Sequence, residues 1–337
     1  MTSPLPTLLA KDFDSDQEVR WCPSCGDYAI LAQLKQVLAS LNQPRERHVF
    51  ISGIGCSGRL PYYLNAYGFH TISGRAPAFA TGLKAANPDL VVWVVTGDGD
   101  GLGGGATYLL HALRRNVDIK VLLFNNEVHG LSKGQYSPTS RLGTRTRSSP
   151  NGSLEAPLRP LDVAFTAGAS FIARTVDVDG EHLAQTLRRA AEHRGSAFVE
   201  IYQNCKIYND AVFEYATDKA TKDDAVLYLE HGELLLFGKD RAKAICFDGL
   251  EPEIVDLYRV GLPESPPMHD ERAERTTQAR LLAGLTGPEF PECLGVFRSV
   301  ERPTFEQELA LQATAGPRLS TNSLESLFTS DDTWKVE

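Results

Sequence analysis

Acidic and amide side chains follow two apolar segments of the sequence, each at the point where the segment ends. Asp98 comes after the apolar run at 90–96, and Asn126 closes the run at 119–126. If these runs are neighbouring strands of a parallel sheet, the loops that follow them open into one crevice. There the Asp98 carboxylate, the Asn126 amide oxygen and the backbone carbonyl of Val128 can supply the oxygen ligands that Mg²⁺ prefers. The pattern therefore predicts a magnesium site that shares its ion with phosphate groups.

The segment GDGDGLGGG at 97–105 predicts a phosphate-binding loop. Its glycines let backbone N–H groups approach a diphosphate, and the helix that follows directs its N-terminus at the same charge. We assign the contacts to Gly97, Asp98, Gly99 and Asp100. A nicotinamide-type loop is an alternative, because the segment contains G-x-G-x-x-G. That loop expects an acidic residue at the end of the next strand, where this chain has two asparagines. A tight turn with a purely structural role also stays open.

Four of the six cysteines occur in turn or strand-end contexts, where their side chains can converge. They are Cys22 and Cys25 in WCPSCGD, Cys56 in GIGCSGR and Cys205 in IYQNCKIYND. Four thiolates suit either zinc or an iron–sulfur cluster, and their spacing alone does not choose between them. Cys246 and Cys293 stand outside such contexts, and we predict that they are buried structural side chains.

The motifs need a sheet that brings their loops together, and the sequence pattern predicts one between residues 20 and 210. Apolar runs that indicate strands alternate there with segments of helical periodicity. The predicted strands are 48–52, 90–96, 119–126, 171–176 and 198–203, and the predicted helices follow the CxxC segment, begin near residue 75, pass through 109–113 and cover 181–193. The expected fold is a doubly wound, mostly parallel α/β sheet. Residues 130–160 lack periodicity, and a loop of that length is usually functional.

Composition limits the possible functions. The 337 residues are 42% hydrophobic and carry a formal net charge of −9, so the broad basic footprint of a nucleic-acid-binding protein is absent. A chain of this size can bury a core without disulfides, which favours a cytoplasmic protein with free thiols. The N-terminal segment lacks secretory-signal features and no apolar run reaches the length of a membrane helix. After Tyr215 the pattern weakens, so we divide the chain into a cofactor-binding domain at 1–215 and an irregular extension at 216–337 that packs on the domain or on a partner.

The motifs together resemble those of the β subunits of 2-oxoacid:ferredoxin oxidoreductases. GDGDGLGGG followed by NNEVHGLSKGQYSPTS is similar to that family's thiamine-diphosphate signature, and the cysteine contexts are similar to its cluster-binding ones. Ser24 and Lys206-Ile207 depart slightly from the family pattern. The resemblance implies thiamine diphosphate with Mg²⁺ on Asp98, Asn126 and Val128, and it places Cys56 and Ser57 beside the cofactor. It also implies one [4Fe–4S] cluster on Cys22, Cys25, Cys56 and Cys205, because an oxidising thiamine enzyme needs an electron acceptor and zinc has no redox chemistry.

Four residues are expected to face the substrate. Arg59 and Lys133 are cations near the predicted cofactor site, Leu131 would shape the pocket, and His70 would contact the diphosphate or close the site. Plain alternatives exist for each of the charged groups, since Arg and Lys side chains are mostly solvated and a single His is often structural.

The resemblance also implies partners. Thiamine catalysis needs a carboxylate that activates the aminopyrimidine, and it comes from a second domain of similar fold, so an α subunit should complete the site in a hetero-oligomer, a dimer of αβ units. Within the family the sequence is most similar to the members that convert 2-oxoglutarate and coenzyme A to succinyl-CoA and CO₂ with ferredoxin as acceptor, or run the reverse reaction. Pyruvate or another 2-oxo acid is an alternative substrate. A thiamine carboligase or decarboxylase with structural zinc, and a non-enzymatic zinc-binding module, are alternative functions.

Overall fold

The computed structural model describes residues 7–315 and Trp334. Residues 1–6 of the predicted cofactor-binding domain and nearly all of residues 316–337 of the predicted extension lie outside the described residues. Within them the chain forms one large sheet, a small second sheet and helices on both faces of the large one.

The large sheet has eight strands in the described part of the chain, in the order β2-β1-β3-β4-β6-β5-β11-β7. The strands are β1 (His48–Ser52), β2 (Tyr67–His70), β3 (Val91–Gly97), β4 (Ile119–Asn125), β5 (Phe171–Val176), β6 (Ala197–Tyr202), β7 (Val226–Leu229) and β11 (Glu292–Ser299). Every neighbouring pair is parallel except β5 and β11, which pair antiparallel. The prediction of a mostly parallel α/β sheet is confirmed.

Helices cover both faces of this sheet because its central strands are apolar on both sides. Along β3, Val92 and Val94 belong to one hydrophobic core, whereas Trp93 and Val95 belong to the core on the opposite face. The helices α2 (Ala76–Ala86), α3 (Ala106–Arg114), α4 (Pro160–Ala167) and α9 (Thr277–Gly284) contribute to the first core, and α1 (Asp27–Ser40) and α5 (Gly180–Glu192) contribute to the second. The fold is therefore doubly wound.

The region after residue 215 is more regular than the sequence pattern indicates. Strands β7 and β11 extend the large sheet, and β8 (Leu236–Phe237), β9 (Lys243–Asp248) and β10 (Glu251–Asp256) form a separate antiparallel sheet. The remaining helices there are α6 (Glu214–Thr217), α7 (Lys222–Ala225), α8 (Leu257–Val260) and α10 (Phe305–Ala315). Strands β7 to β10 have two to six residues each, and charged or Pro-rich segments separate the strands of this region, so the periodicity of the sequence is weak there. The division of the chain at residue 215 stays a prediction.

The strand order places the predicted motifs side by side. Strands β1, β3, β4 and β6 are consecutive neighbours, and the loops after their carboxyl ends carry Cys56, Asp98, Asn126 and Cys205 respectively. In the described residues, helices long and apolar enough to span a membrane are absent.

Candidate functional site

A cavity of about 320 Å³ lies at the carboxyl ends of these strands. Among the residues that line it are eight of those predicted to lie at the diphosphate and magnesium site, namely Cys56, Ser57, Gly97, Asp98, Gly99, Asp100, Asn126 and Val128. Two of the motifs come together because β3 and β4 pair directly, with Gly97 opposite Phe124 in the register. This crevice is the position at which open parallel sheets bind their ligands.

Hydroxyl groups from the long loop hold Asp98 in place. The carboxylate is buried, and its Oδ2 accepts hydrogen bonds from Ser137 Oγ at 2.5 Å and Thr139 Oγ1 at 2.6 Å. Burial raises the pKa of this carboxyl group, and the hydrogen bonds from Ser137 and Thr139 oppose the shift. A cation in the cavity would compensate the cost of burying this charge. Asp98 therefore fits a magnesium ligand.

Asp100 lines the same cavity but is used within the protein. Its Oδ1 accepts hydrogen bonds from the Ile54 and Gly74 backbone N–H groups and from Ser73 Oγ, at 3.1, 2.7 and 3.0 Å. Its Oδ2 accepts one from Thr96 Oγ1 at 2.8 Å. One carboxylate thus ties the glycine loop after β3 to the loops after β1 and β2, so its contribution to the site is to fix the shape of the cavity.

The second oxygen ligand set lies after β4. Asn126 Oδ1 accepts a hydrogen bond from the Val128 backbone N–H at 3.2 Å, and Asn126 Nδ2 donates to Gln203 Oε1 at 2.6 Å. Glu127 lies between Asn126 and Val128 in the chain and has a positive φ of 54°. This backbone angle turns the chain sharply and brings both neighbours to the cavity. The side-chain amide and the backbone carbonyl are neutral hard ligands of the kind that accompany a single carboxylate at Mg²⁺.

A histidine that the sequence analysis did not select covers the glycine loop. A Cβ atom on Gly99 would lie 2.1 Å from the His129 ring, so only glycine lets the ring lie against this backbone. His129 also lines the cavity. It belongs to the same NNEVHG segment as Asn126, and its position three residues beyond a predicted ligand was the available signal.

The four predicted cysteines line an adjoining cavity of about 240 Å³. The two cavities share Cys56, Asn126, Gly130, Leu131 and Gln203. Gly130 leaves space between two of the sulfur atoms, since a Cβ there would lie 3.5 Å from Cys205 Sγ and 3.7 Å from Cys56 Sγ. In the described residues, no group of three or more His, Cys, Asp or Glu side chains is arranged to hold a metal ion.

The electrostatics of this second cavity are unfavourable for negative charge. Burial, then the nearby Asp27 and the neighbouring cysteines, raise the pKa of the Cys56 thiol to about 11. Burial also raises the pKa of Cys25 and of Cys205. Asp27, only 1% exposed, lies in the first cavity with neither oxygen hydrogen-bonded, and burial raises its pKa to about 7. Thiolates here would need a positively charged group to stabilise them.

The residues predicted to face the substrate divide into two pairs. Leu131 lines both cavities and Arg59 lines the cysteine cavity, where its Nη1 donates to the Arg20 carbonyl at 2.9 Å. His70 and Lys133 line neither cavity. His70 stacks on Tyr62 with ring centroids 4.2 Å apart and bonds Ser52 Oγ through Nδ1 at 2.8 Å, and Lys133 lies exposed in a turn with a φ of 72°.

Three further buried residues escaped the sequence analysis. Gln203 connects the two cavities, and Ser137 and Thr139 hold Asp98. Gln203 is the last residue of the predicted strand at 198–203, and Ser137 and Thr139 belong to the SPTS segment of the long loop. Each was visible as a polar side chain next to a selected motif, but its partner lies far away in the sequence.

A doubly wound sheet with glycine loop, carboxylate and amide at adjacent strand ends defines the class of thiamine-diphosphate-binding enzymes. Residues 53–201 match the family model described as "Thiamine pyrophosphate enzyme, C-terminal TPP binding domain". The matched range begins directly after β1 and ends within β6, so it contains the glycine loop and the oxygen ligands.

Full-length relatives identify the family within this class. The chain is 46% identical over 331 residues to the 2-oxoglutarate oxidoreductase subunit KorB of Mycobacterium tuberculosis, covering 97% of this chain and 88% of that protein. It is 46% identical over 190 residues to the β subunit of 2-oxoacid:ferredoxin oxidoreductase 1 of Aeropyrum pernix, covering 56% of this chain and 60% of that one. A solved structure of 2-oxoglutarate:ferredoxin oxidoreductase from Magnetococcus marinus, with 2-oxoglutarate, coenzyme A and succinyl-CoA bound, superposes with a TM-score of 0.75 at 30% identity, covering 97% of both chains.

This chain belongs to the β subunits of the 2-oxoacid:ferredoxin oxidoreductases. The family resemblance inferred from the sequence motifs is confirmed, and so is the prediction of a thiamine-diphosphate enzyme.

Proposed function

We propose that this β subunit acts with an α subunit to oxidise 2-oxoglutarate and coenzyme A to succinyl-CoA and CO₂, or to run the reverse reductive carboxylation. In the oxidative direction one 2-oxoglutarate, one coenzyme A and two oxidised ferredoxins give succinyl-CoA, CO₂, two reduced ferredoxins and one proton. The observation that carries this proposal is the adjoining pair of cavities, which share five lining residues. This reaction needs a redox acceptor beside the thiamine site, whereas the reaction of a carboligase does not.

The first cavity would hold thiamine diphosphate and Mg²⁺. Asp98, Asn126 and the Val128 carbonyl would ligate the ion, and Gly97 and Gly99 would present backbone N–H groups to the diphosphate. When bound, the cofactor supplies the carbanion stabilisation that decarboxylation requires. The chain's own task is to hold the ligands in register, which the hydrogen bonds to Asp98 and Asn126 support.

The second cavity would hold one [4Fe–4S] cluster on Cys22, Cys25, Cys56 and Cys205. All four cysteines line one cavity of about 240 Å³. Oxidation of a 2-oxo acid needs an electron acceptor, and zinc has no redox chemistry, so a redox-active cluster fits the reaction better than zinc. Cys56, which lines both cavities, would bring the cluster close to the thiamine site.

An α subunit would supply what this chain lacks. Of the acidic side chains that line the cofactor cavity, Asp98 would bind the ion, Asp100 fixes the loops, and Asp27 lies near Cys25 and Cys56, whose pKa values are raised by burial and then by this carboxylate. The carboxylate that activates the aminopyrimidine would therefore come from the α subunit. The relatives above are named as β subunits or lettered subunits, which supports a hetero-oligomer. All six cysteines are free, which fits a reducing compartment and supports a cytoplasmic location.

The names of two of the relatives reported above, KorB of Mycobacterium tuberculosis and the Magnetococcus marinus enzyme, support 2-oxoglutarate as the substrate. 2-Oxoglutarate has a distal carboxylate that pyruvate lacks, and this charge needs a positive partner in the site. A charge-assisted hydrogen bond to it would contribute about 1.5–3 kcal/mol to binding. Arg59 and Lys133 are our candidates for this contact, with Leu131 shaping the pocket and His70 closing it after an α subunit binds. Arg59 and Leu131 have the stronger support, because they line the cavities.

The test uses the complex co-expressed with its α subunit and purified without oxygen. We expect iron, sulfide and thiamine in the preparation, and faster coenzyme A-dependent ferredoxin reduction with 2-oxoglutarate than with pyruvate or 2-oxobutyrate. Cys56→Ser should lose the cluster, whereas Cys246→Ser, a buried cysteine outside both cavities, should retain it. Zinc in place of iron would refute the cluster, and a preference for pyruvate would refute the substrate alone.

Arg59→Ala and Lys133→Ala separate the two candidate cations. Loss of kcat/KM for 2-oxoglutarate only would assign the distal carboxylate, and equal loss for all 2-oxo acids would assign the carboxylate beside the keto group. Lys239→Ala, an exposed lysine in the extension, is the matched control. Turnover by the purified β chain alone would contradict the requirement for an α subunit.

A further inference from the structure

We propose that Gln203 is a positioning residue that joins the two cofactor sites and raises the reduction potential of the cluster by donating a hydrogen bond to Cys25. The inference rests on the proposed function, since it assumes a cluster on the cysteines and a magnesium ion on Asn126. Gln203 lies immediately after β6 and is 1% exposed.

The side chain of Gln203 uses all of its hydrogen-bonding groups. Its Oε1 accepts a hydrogen bond from Asn126 Nδ2 at 2.6 Å. Its Nε2 donates to Cys25 Sγ at 3.3 Å and to the backbone carbonyl of Asn204 at 2.6 Å. One amide therefore contacts a predicted magnesium ligand on one side and a predicted cluster ligand on the other.

Backbone groups at both ends fix which amide atom faces which partner. The Val128 N–H can only donate, so the Asn126 atom it contacts is the oxygen, and Asn126 must present its NH₂ group to Gln203. At the other end the Asn204 carbonyl can only accept, so Gln203 must present its NH₂ group there and to Cys25. Reversing either amide would place two donors or two acceptors in contact, which is costly in a buried site. The direction of the N–H toward sulfur is thus determined by the fold.

The surrounding chain is rigid enough to maintain this contact. The Gln203 backbone N–H donates to the Asn125 carbonyl at 2.9 Å, which continues the β4–β6 pairing. The Gly26 N–H donates to the Asn204 carbonyl at 3.2 Å, and this bond ties the CxxC segment to the same loop. Cys25 and Gln203 are therefore held together by backbone bonds that do not depend on the side chain of Gln203.

A hydrogen bond to a ligand sulfur favours the reduced state, because reduction adds negative charge to the cluster and its ligands. Low polarity around a buried amide strengthens the effect. The same amide also orients Asn126 for its ion. Gln203 would therefore influence both the electron acceptor and the affinity for the thiamine cofactor, by two separable bonds.

Two substitutions separate these bonds in the co-purified complex. Gln203→Leu removes both, whereas Gln203→Glu keeps an oxygen for Asn126 Nδ2 but leaves at most one hydrogen to serve Cys25 and the Asn204 carbonyl. Gln185→Leu is the matched control. Gln185 is an exposed glutamine on α5 whose Nε2 donates a hydrogen bond to Glu181 Oε1 at 3.3 Å, and it lines neither cavity. The cluster potential is measured by redox titration with electron paramagnetic resonance, and the affinity for thiamine diphosphate with Mg²⁺ by calorimetry.

We expect the equilibrium constant for cluster reduction to fall about tenfold in both Gln203 variants, which is about 59 mV for a one-electron couple. Cofactor affinity should fall about tenfold in Gln203→Leu, because the loss of a group that hydrogen-bonds to a metal ligand typically weakens metal binding by at least that factor. In Gln203→Glu it should fall less than about twofold, because the bond to Asn126 is kept. If Gln203→Leu assembles no cluster, the reduction potential is measured on Gln203→Glu alone. The affinity of the iron-free Gln203→Leu complex for thiamine diphosphate with Mg²⁺ still tests the bond to Asn126.

An unchanged potential in a variant that retains its cluster would overturn the inference, and so would equal cofactor affinities in the two variants. Neither result would affect the proposed function, whose failure is recognised separately by the absence of iron or thiamine from the unmodified complex.

Discussion

Replacing Gly53 by alanine should disrupt the loops that form the cofactor cavity. Gly53 directly follows β1, and a Cβ atom at this position would lie 1.8 Å from Asp100 Oδ2 and 2.6 Å from its Cγ. Carbon and oxygen atoms that are not bonded need roughly 3.2 Å between them, so the carboxylate or the loop must move by more than about 1 Å. Asp100 cannot move freely, because four hydrogen bonds hold it.

The magnitude follows from those four bonds. A shift of this size breaks at least two of them, and each bond to a charged acceptor contributes about 1.5–3 kcal/mol. We therefore expect Gly53→Ala to lower the free energy of unfolding by about 3–6 kcal/mol, a large part of the 5–15 kcal/mol typical of a folded protein. If the loop relaxes instead, the same cost appears as weaker binding of thiamine diphosphate, because the loop carries Cys56 and Ser57.

Both quantities should be measured, by denaturant unfolding and by calorimetric titration with the cofactor and Mg²⁺. Gly82→Ala is the matched control: Gly82 lies inside α2 with nothing within 4 Å of a new Cβ, so alanine should stabilise the protein by up to about 1 kcal/mol. A Gly53→Ala variant that keeps both stability and cofactor affinity within about 0.5 kcal/mol of the parent, the range of neutral surface changes, would refute the reasoning.

Three further predictions concern ionisable groups. Asp98→Asn should weaken binding of thiamine diphosphate with Mg²⁺ by more than about tenfold, seen by calorimetry, and unchanged affinity would show that Asp98 is no ligand. Arg174→Met should destabilise the fold by about 3–5 kcal/mol, seen by denaturant unfolding, because it leaves the buried carboxylates of Glu200 and Glu292 without the cation that they share; a loss under 1 kcal/mol would contradict it. Burial lowers the pKa of both His48 and His193 to about 4, below the unfolded value of about 6.5, so protons bind the unfolded chain more tightly and stability should fall between pH 6.5 and 4 by up to about 3 kcal/mol per histidine. Unfolding curves at several pH values test this, and His48→Gln should remove part of the slope; a flat profile would be inconsistent with it.

Local patterns determined most of the cofactor-binding half of the fold. The predicted strand at 90–96 is continuous and apolar over 90–95, as a strand buried on both faces must be, and the predicted strands at 48–52 and 171–176 are short and rich in Val, Ile and Phe. The structure places β1, β3 and β5 there within one residue. The edge strand β2 and the two-residue strand β8 were missed, because four exposed residues in the one and two residues in the other carry no periodicity. Strands β7, β9, β10 and β11, in the region after residue 215, were missed as well.

Residue type and spacing also determined the contents of the candidate site. Asp98, Asn126 and the four cysteines follow strands or turns in recognisable segments, so their chemistry could be proposed from the sequence alone. That they form two adjoining cavities depends on the order β1-β3-β4-β6. Strand order is a non-local property set by the packing of helices on the two faces, and a single sequence does not contain it in any local pattern.

Only the tertiary structure decided what the individual side chains contact. Asp100 is predicted to contact the cofactor by its place in the glycine loop, and the structure adds a second role that the sequence did not indicate, since its carboxylate binds partners from three other segments. Gln203 contacts Asn126 and Cys25, which are 77 and 178 residues away in the chain. Such contacts arise because a parallel sheet brings distant strand ends within hydrogen-bonding distance, whereas sequence periodicity reports only the environment of residues a few positions apart.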